Sequence, residues 1–108
     1  MPTIDDFEEL ALRIGTVARA ELHATSRDPA IKLWIDFGPL GERQSSAKVT
    51  DHYQPSDLVG RQIVAVTGFP AMRVGGFRSE VLVLGALADD GVVLLNVDQA
   101  VPPGSMVG

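Results

Sequence analysis

The apolar residues of this chain fall into short runs of period two that turn residues keep interrupting, which is the pattern of a chain built mainly of strands. The clearest run covers residues 31–37, where Ile31, Leu33, Ile35 and Phe37 alternate with Lys32, Trp34 and Asp36 before Gly38-Pro39 ends it. A period of two sends successive side chains to opposite faces, so this run is a strand with one face against a core. Trp34 falls on the polar face beside two charges, and either packs under an added element such as an N-terminal helix or lies in a contact surface. From Arg13 the period is again two, with Ile14, Thr16 and Ala18 alternating with Arg13, Gly15, Val17 and Arg19, and Gly15 marks a bulge or sharp bend. Residues 42–49 read as a polar strand, and 62–67, 80–84 and 92–95 as short apolar ones, with Asp89-Asp90-Gly91 turning between the last two.

Helical signals are confined to one end and one connection. Thr3 followed by Asp6 resembles a capping box, with Asp5 and Asp6 in the first turn where the helix dipole favours acids. Ile4, Phe7 and Leu10 then share a face, predicting a short helix within residues 1–10 that must dock on its own barrel or on a partner chain. A short turn precedes Leu58, with Ser56 and Asp57 as its candidate N-caps. The tail, residues 99–108, holds two prolines and reads as extended. Short strands spaced roughly 8–12 residues apart argue for a small closed or partly open barrel. The expected fold is therefore mainly all-β: a five-stranded OB-fold barrel with a short N-terminal helix and an extended C-terminal tail. An immunoglobulin-like sandwich is the alternative, and needs more strands than the chain supplies.

The 108 residues form one domain, with a core over about 8–108, large enough for a real core yet small enough that apolar surface stays near solvent and association helps. A hydrophobic share of 45% against 21% charged residues places the chain among folded globular proteins. It has no cysteine, so disulfide, thiol and zinc-thiolate chemistry are closed to it, and the cytoplasm is the expected location. The first ten residues carry four acids and no basic region, and no apolar run nears the roughly 18 residues of a membrane span, so neither a signal peptide nor a membrane anchor is expected. A net charge of −5 opposes broad, sequence-blind DNA binding, which depends on neutralising phosphates.

Chemistry concentrates in residues 69–85. Here a basic, glycine-paired loop with Phe77 as an exposed aromatic runs through Ser79-Glu80 into an apolar strand. Residues 58–79 contain Arg61, Arg73 and Arg78 and no acid, in a chain of 9 basic and 14 acidic residues, so one face of an acidic protein is expected to be locally positive. An enzyme needs a nucleophile beside a base, paired carboxylates or metal-ligand spacing, and the chain displays none of these patterns. His23 and His52 stand far apart in turn-like settings and read as solvated loop histidines. Ser45 and Ser46 lack a nucleophile-elbow setting and read as hydrogen-bonding strand residues. Gly75-Gly76 is followed by neither lysine nor a helix start, so it reads as loop flexibility rather than a phosphate cradle. Glu80, at the mouth of a strand, is expected to accept loop amides or pair with Arg73 or Arg78, with direct contact to a bound ligand as the alternative. No cofactor is expected.

Residues 4–17, 30–38, 44–50, 53–66 and 69–85, in this order and spacing, resemble the tRNA-binding OB-domain family, which includes domains at the ends of methionyl-tRNA synthetases and phenylalanyl-tRNA synthetase beta chains. Gln44-Ser45-Ser46 and the run from Ser79-Glu80-Val81-Leu82 to Gly85 are similar to its CsaA branch, the small bacterial export-related chaperones. The tRNA-binding branch has Ser-Gly at Ser45-Ser46 and Ser-Glu-Gly-Met at Ser79-Glu80-Val81-Leu82, so here two stiff strand formers replace a flexible pair. The resemblance implies an OB-fold homodimer joined largely through its terminal segments, with export-related chaperone activity and the tRNA binding that goes with the fold. Two uses of the surface then stand side by side. In one, Met72, Val74 and Phe77 line a groove for unfolded or precursor polypeptides, with Arg73 and Arg78 at its rim. In the other, Lys48, Arg73 and Arg78 meet the phosphates of tRNA while Ser45, Ser46 and Ser79 bond sugar or base edges. Phe77 is the best stacking candidate in either case.

Overall fold

The computed structural model describes residues 1–108. In chain order its elements are α1 (Ile4–Leu10), β1 (Leu12–Leu22), β2 (Ile31–Asp36), a 3-10 turn at Gly38–Leu40, β3 (Glu42–Ala47), α2 (Pro55–Leu58), β4 (Gln62–Val66), β5 (Met72–Val74), β6 (Phe77–Ser79), β7 (Leu82–Val83), β8 (Gly85–Ala88) and β9 (Gly91–Leu94). Five strands form an antiparallel sheet in the order β3-β2-β1-β4-β7, and β5-β6 and β8-β9 are separate hairpins. The long β1 serves two neighbours: Leu12 to Thr16 pair with β4, and Thr16 to Leu22 with β2. Between Val17 and Arg19 the register shifts, and this irregularity lets the strand coil from one wall of the barrel to the next. The bend thus lies beyond Gly15. Gly15 instead makes room for the core, since a Cβ there would fall 2.7 Å from a Phe37 ring carbon.

The alternation of β2 survives intact. Ile31, Leu33, Ile35 and Phe37 are fully buried, and they centre a core with Val17, Ala47, Val49, Leu58, Ile63, Ala65 and Val81. Each large side chain so buried contributes roughly 1.5–3 kcal/mol relative to exposure. Around the sheet, β3 does not close onto β7 through a backbone ladder alone. Glu80 donates its amide to the Gln44 carbonyl at 2.8 Å, and its carboxylate accepts the Gln44 amide at 3.1 Å. Ser45 Oγ donates to the Val81 carbonyl at 2.8 Å, and the Ser46 amide donates to Ser79 Oγ at 3.1 Å. Side chains thus zip the seam of a nearly closed barrel, leaving no room for a two-sheet sandwich.

Several local expectations shift. The glycine-paired stretch is a two-stranded hairpin rather than a mobile loop, because Gly75 and Gly76 both take positive φ (53° and 80°), as a tight two-residue hairpin turn requires. The strand expected over residues 80–84 shrinks to β7, and the turn at Asp89-Asp90 joins β9 to β8 instead. At α2 the cap is Gln54, whose amide donates to Asp57 Oδ2 at 2.9 Å, rather than Ser56 or Asp57. The capping box of α1 is formed, with the Thr3 amide 2.7 Å from Asp6 Oδ2 and the Asp6 amide 3.3 Å from Thr3 Oγ1. No residue of α1 is buried, however, and Ile4 and Phe7 remain open to solvent beside Met106. The tail is extended as expected and does not fray. Gly104 donates to Ile14 at 2.7 Å, Ile14 to Ser105 at 2.8 Å and Val107 to Leu12 at 2.9 Å, occupying the edge of β1 that β2 leaves free.

Candidate functional site

The β5-β6 hairpin packs beside β3, where Gln44 Nε2 donates to the Arg78 carbonyl at 2.8 Å, and reaches β2 through Phe77 against Trp34. In its register Arg73 stands opposite Arg78, while the pairs Met72–Ser79 and Val74–Phe77 share the other face. Both arginines are exposed and on the same side, and Arg73 donates to the Gly76 carbonyl at 3.0 Å. The tip is tied down from afar, as Thr25 Oγ1 donates to the Gly75 carbonyl at 2.6 Å. Met72 and Val74 border a groove of about 320 Å³ whose other walls are Phe69, Pro70 and Leu82, with Ser46, Ser79, Glu80 and Val81 completing it. Its rim is apolar and exposed at Phe69, Met72 and Leu82. Flexible methionine beside proline and aliphatic carbon suits varied apolar side chains.

Phe77 is half-buried rather than exposed, and it does not line this groove. It packs edge-on against Trp34, with ring centroids 5.7 Å apart, and against His23 at 5.5 Å. Lys32 Nζ stands 5.0 Å from the Phe77 centroid, and the Arg19 guanidinium covers the Trp34 ring at 4.0 Å. Trp34 therefore packs under the hairpin, not under the N-terminal helix. The result is an aromatic pair flanked by cations on the outer face of β1 and β2, next to the groove. A cation over an aromatic face is held by the ring quadrupole.

The other expected residues separate into surface and seam. Ser45 is 1% exposed and Ser79 is 9%, and the hydroxyls of both are engaged across the seam, Ser79 also bordering the groove. Ser46 is half-buried, its hydroxyl 2.8 Å from His23 Nδ1, and reaches the groove floor. Glu80 pairs with neither arginine; its carboxylate accepts the Gln44 amide and borders the groove. Lys48 is paired with Asp28 at 2.9 Å. Arg61 is also apart, bonded to the Asp57 carbonyl and facing the Tyr53 ring at 5.5 Å, so the arginines of residues 58–79 do not form one patch. His52 is in a turn, 3.2 Å from Asp90, whereas His23 is buried at 4% exposure, against the expectation of a solvated loop residue. Sequence reading overlooked Arg19, Lys32, His23, Phe69 and Leu82 as parts of the surface. The placement of Trp34 and Lys32 on the polar face of a strand was the one signal for it.

Comparison with known proteins gives this surface a family. The family described as putative tRNA binding domain matches residues 12–106. The methionine–tRNA ligase of Thermotoga maritima is 39% identical over 105 residues, which is 97% of this chain and 16% of the ligase. The chain thus spans about one-sixth of the length of the ligases it matches. Over full-length chains, the crystal structure of the chaperone CsaA of Bacillus anthracis is 52% identical with a TM-score of 0.93, covering 100% of this chain and 99% of that one. The CsaA chaperone protein of Picrophilus torridus is 38% identical with the same TM-score and full coverage of both. The fold, the seam and the hairpin surface are accordingly those of a chain that belongs to the tRNA-binding domain family and, within it, to the CsaA branch.

Proposed function

We propose that this chain is a non-enzymatic, export-related chaperone that holds unfolded or precursor polypeptides as a cytoplasmic homodimer. The observation that carries the reading is the 320 Å³ groove, apolar at Phe69, Pro70, Met72, Val74 and Leu82, with Arg73 and Arg78 beside it. A groove of this kind takes one apolar side chain of an extended segment, while the cations favour acidic flanks and hold off basic ones. No nucleotide-binding signature is present in the sequence, so the holding is passive. The homodimer rests on Ile4, Phe7 and Met106, which leave an apolar cleft of about 180 Å³ at the chain termini. A second reading, tRNA binding, is favoured by the Arg19–Trp34–Phe77–Lys32 cluster, which pairs phosphate-binding cations with aromatic carbon.

A side-by-side titration of an unfolded polypeptide and of folded tRNA, at two salt concentrations, separates the readings. Polypeptide affinity that changes little with salt, and that Met72→Asp lowers about tenfold, supports the chaperone reading. A steep salt slope for tRNA without polypeptide binding replaces it with the second.

A further inference from the structure

Strand β5 pairs with β6 and with no other strand. Gly75 and Gly76 close the hairpin as a two-residue turn, so Val74 and Phe77 exchange backbone bonds across it, and alternation makes Arg73 and Arg78 the next, non-bonded pair. The far side of β6 agrees: the Arg78 carbonyl turns outwards and accepts from Gln44 Nε2 at 2.8 Å. By the same alternation the Arg73 amide and carbonyl turn outwards from β5, and there no other backbone group meets them. Residues 70–73 are all exposed, so this edge is open to solvent. The side chains beside it sort by face. Met72 and Val74 border the groove, while Arg73 and Arg78 stand opposite each other on the other face. Like charges directly opposite are unfavourable, and no carboxylate offsets these two, since the ion pairs of the chain are Arg19–Glu21, Lys48–Asp28 and His52–Asp90.

We infer that β5 takes a client polypeptide as an added antiparallel strand, and that the segment it selects alternates apolar with acidic residues; this rests on the polypeptide reading above. An acidic residue opposite Arg73 exchanges both backbone bonds with it and sets its carboxylate on the arginine face. Its two neighbours then turn their side chains to the groove beside Met72 and Val74. The ladder is short, because Thr25 already holds the Gly75 carbonyl at the tip. Specificity therefore lies in the register: a shift by one residue brings acids to the apolar groove and apolar side chains to the arginines. An open edge also invites pairing with further copies of the same chain, and arginine answers that risk, since a second β5 would bring more cations to the same place. A polynucleotide can meet the arginines with its phosphates, but its backbone has no run of N–H and C=O groups to match the edge.

The test uses the full chain and short labelled peptides, read by fluorescence anisotropy. A peptide alternating valine with glutamate binds about tenfold more tightly than one of the same composition arranged in blocks of two. N-methylation of the glutamate amides lowers its affinity about tenfold, and N-methylation of the valine amides, which face away from β5, leaves it unchanged. Arg73→Ala weakens binding, and Arg73→Pro weakens it about fivefold further, since proline is tolerated on an edge strand but removes the amide. Trp34 emission, from the ring packed against Phe77, checks that the hairpin keeps its place in both variants. Equal effects of methylation in the two series, or equal affinities for the alternating and block peptides, overturn strand addition and leave the groove reading standing. The methylation series decides even where the proline variant does not fold. A chain that binds tRNA and neither peptide overturns the polypeptide reading, and the added strand with it.

Discussion

Ser45 and Ser46 are neighbours with different work to do. One turns into the barrel and binds the Val81 carbonyl, and the other turns out, towards His23 and the groove. Period two alone assigns them to opposite faces, and the faces decide which is structural. Ser45→Ala leaves the Val81 carbonyl buried without its donor, which costs about 1–3 kcal/mol of stability. Urea unfolding measures that loss, and the folded variant binds polypeptide and tRNA as before. A loss of affinity with unchanged stability would return Ser45 to the contact surface.

Among the elements, the hairpin carries the residues on which the proposed function rests. Arg73→Ala combined with Arg78→Ala leaves the fold intact, because both side chains are exposed, and lowers the salt slope of any tRNA binding by about two phosphate contacts. An unaltered slope would place nucleic acid on another face, with Arg19 and Lys32 the next cations to remove. How far such an element is legible in sequence depends on what covers it. The core face of β2 could be read from its alternation, and the cap of α1 from Thr3 and Asp6, since both patterns are local. The surface was only partly legible. Arg73, Arg78, Met72 and Val74 declare themselves within one short segment. His23 does not, because the turn that buries it lies 50 residues away at Gly75, and a residue in a turn-like stretch carries no mark of a distant lid. Phe77 was misread for the same reason, since its partners Trp34 and His23 belong to another part of the chain. Glycine pairs also have two meanings, and only the positive φ angles distinguish a tight turn from slack backbone.

For the whole molecule, the open question in solution is how the terminal apolar surface is covered. Phe7→Asp together with Met106→Asp puts two acids into the cleft between α1 and the tail, and converts a homodimer to a folded monomer at micromolar concentration, as sedimentation shows. If the unaltered chain already sediments as a monomer, the cleft serves no self-association. The tail that forms one wall of that cleft has a separate consequence, for the order in which the chain is made. Residues 104–107 complete the edge of the first strand, at Leu12 and Ile14. A growing polypeptide therefore exposes a stretch of unpaired strand edge from the moment β1 takes shape until Val107 has left the ribosome. Such an edge is a template for strand addition by any other chain. A protein whose first strand waits for residues 104–107 to complete its edge passes through its synthesis in the condition of the molecules that chaperones exist to hold.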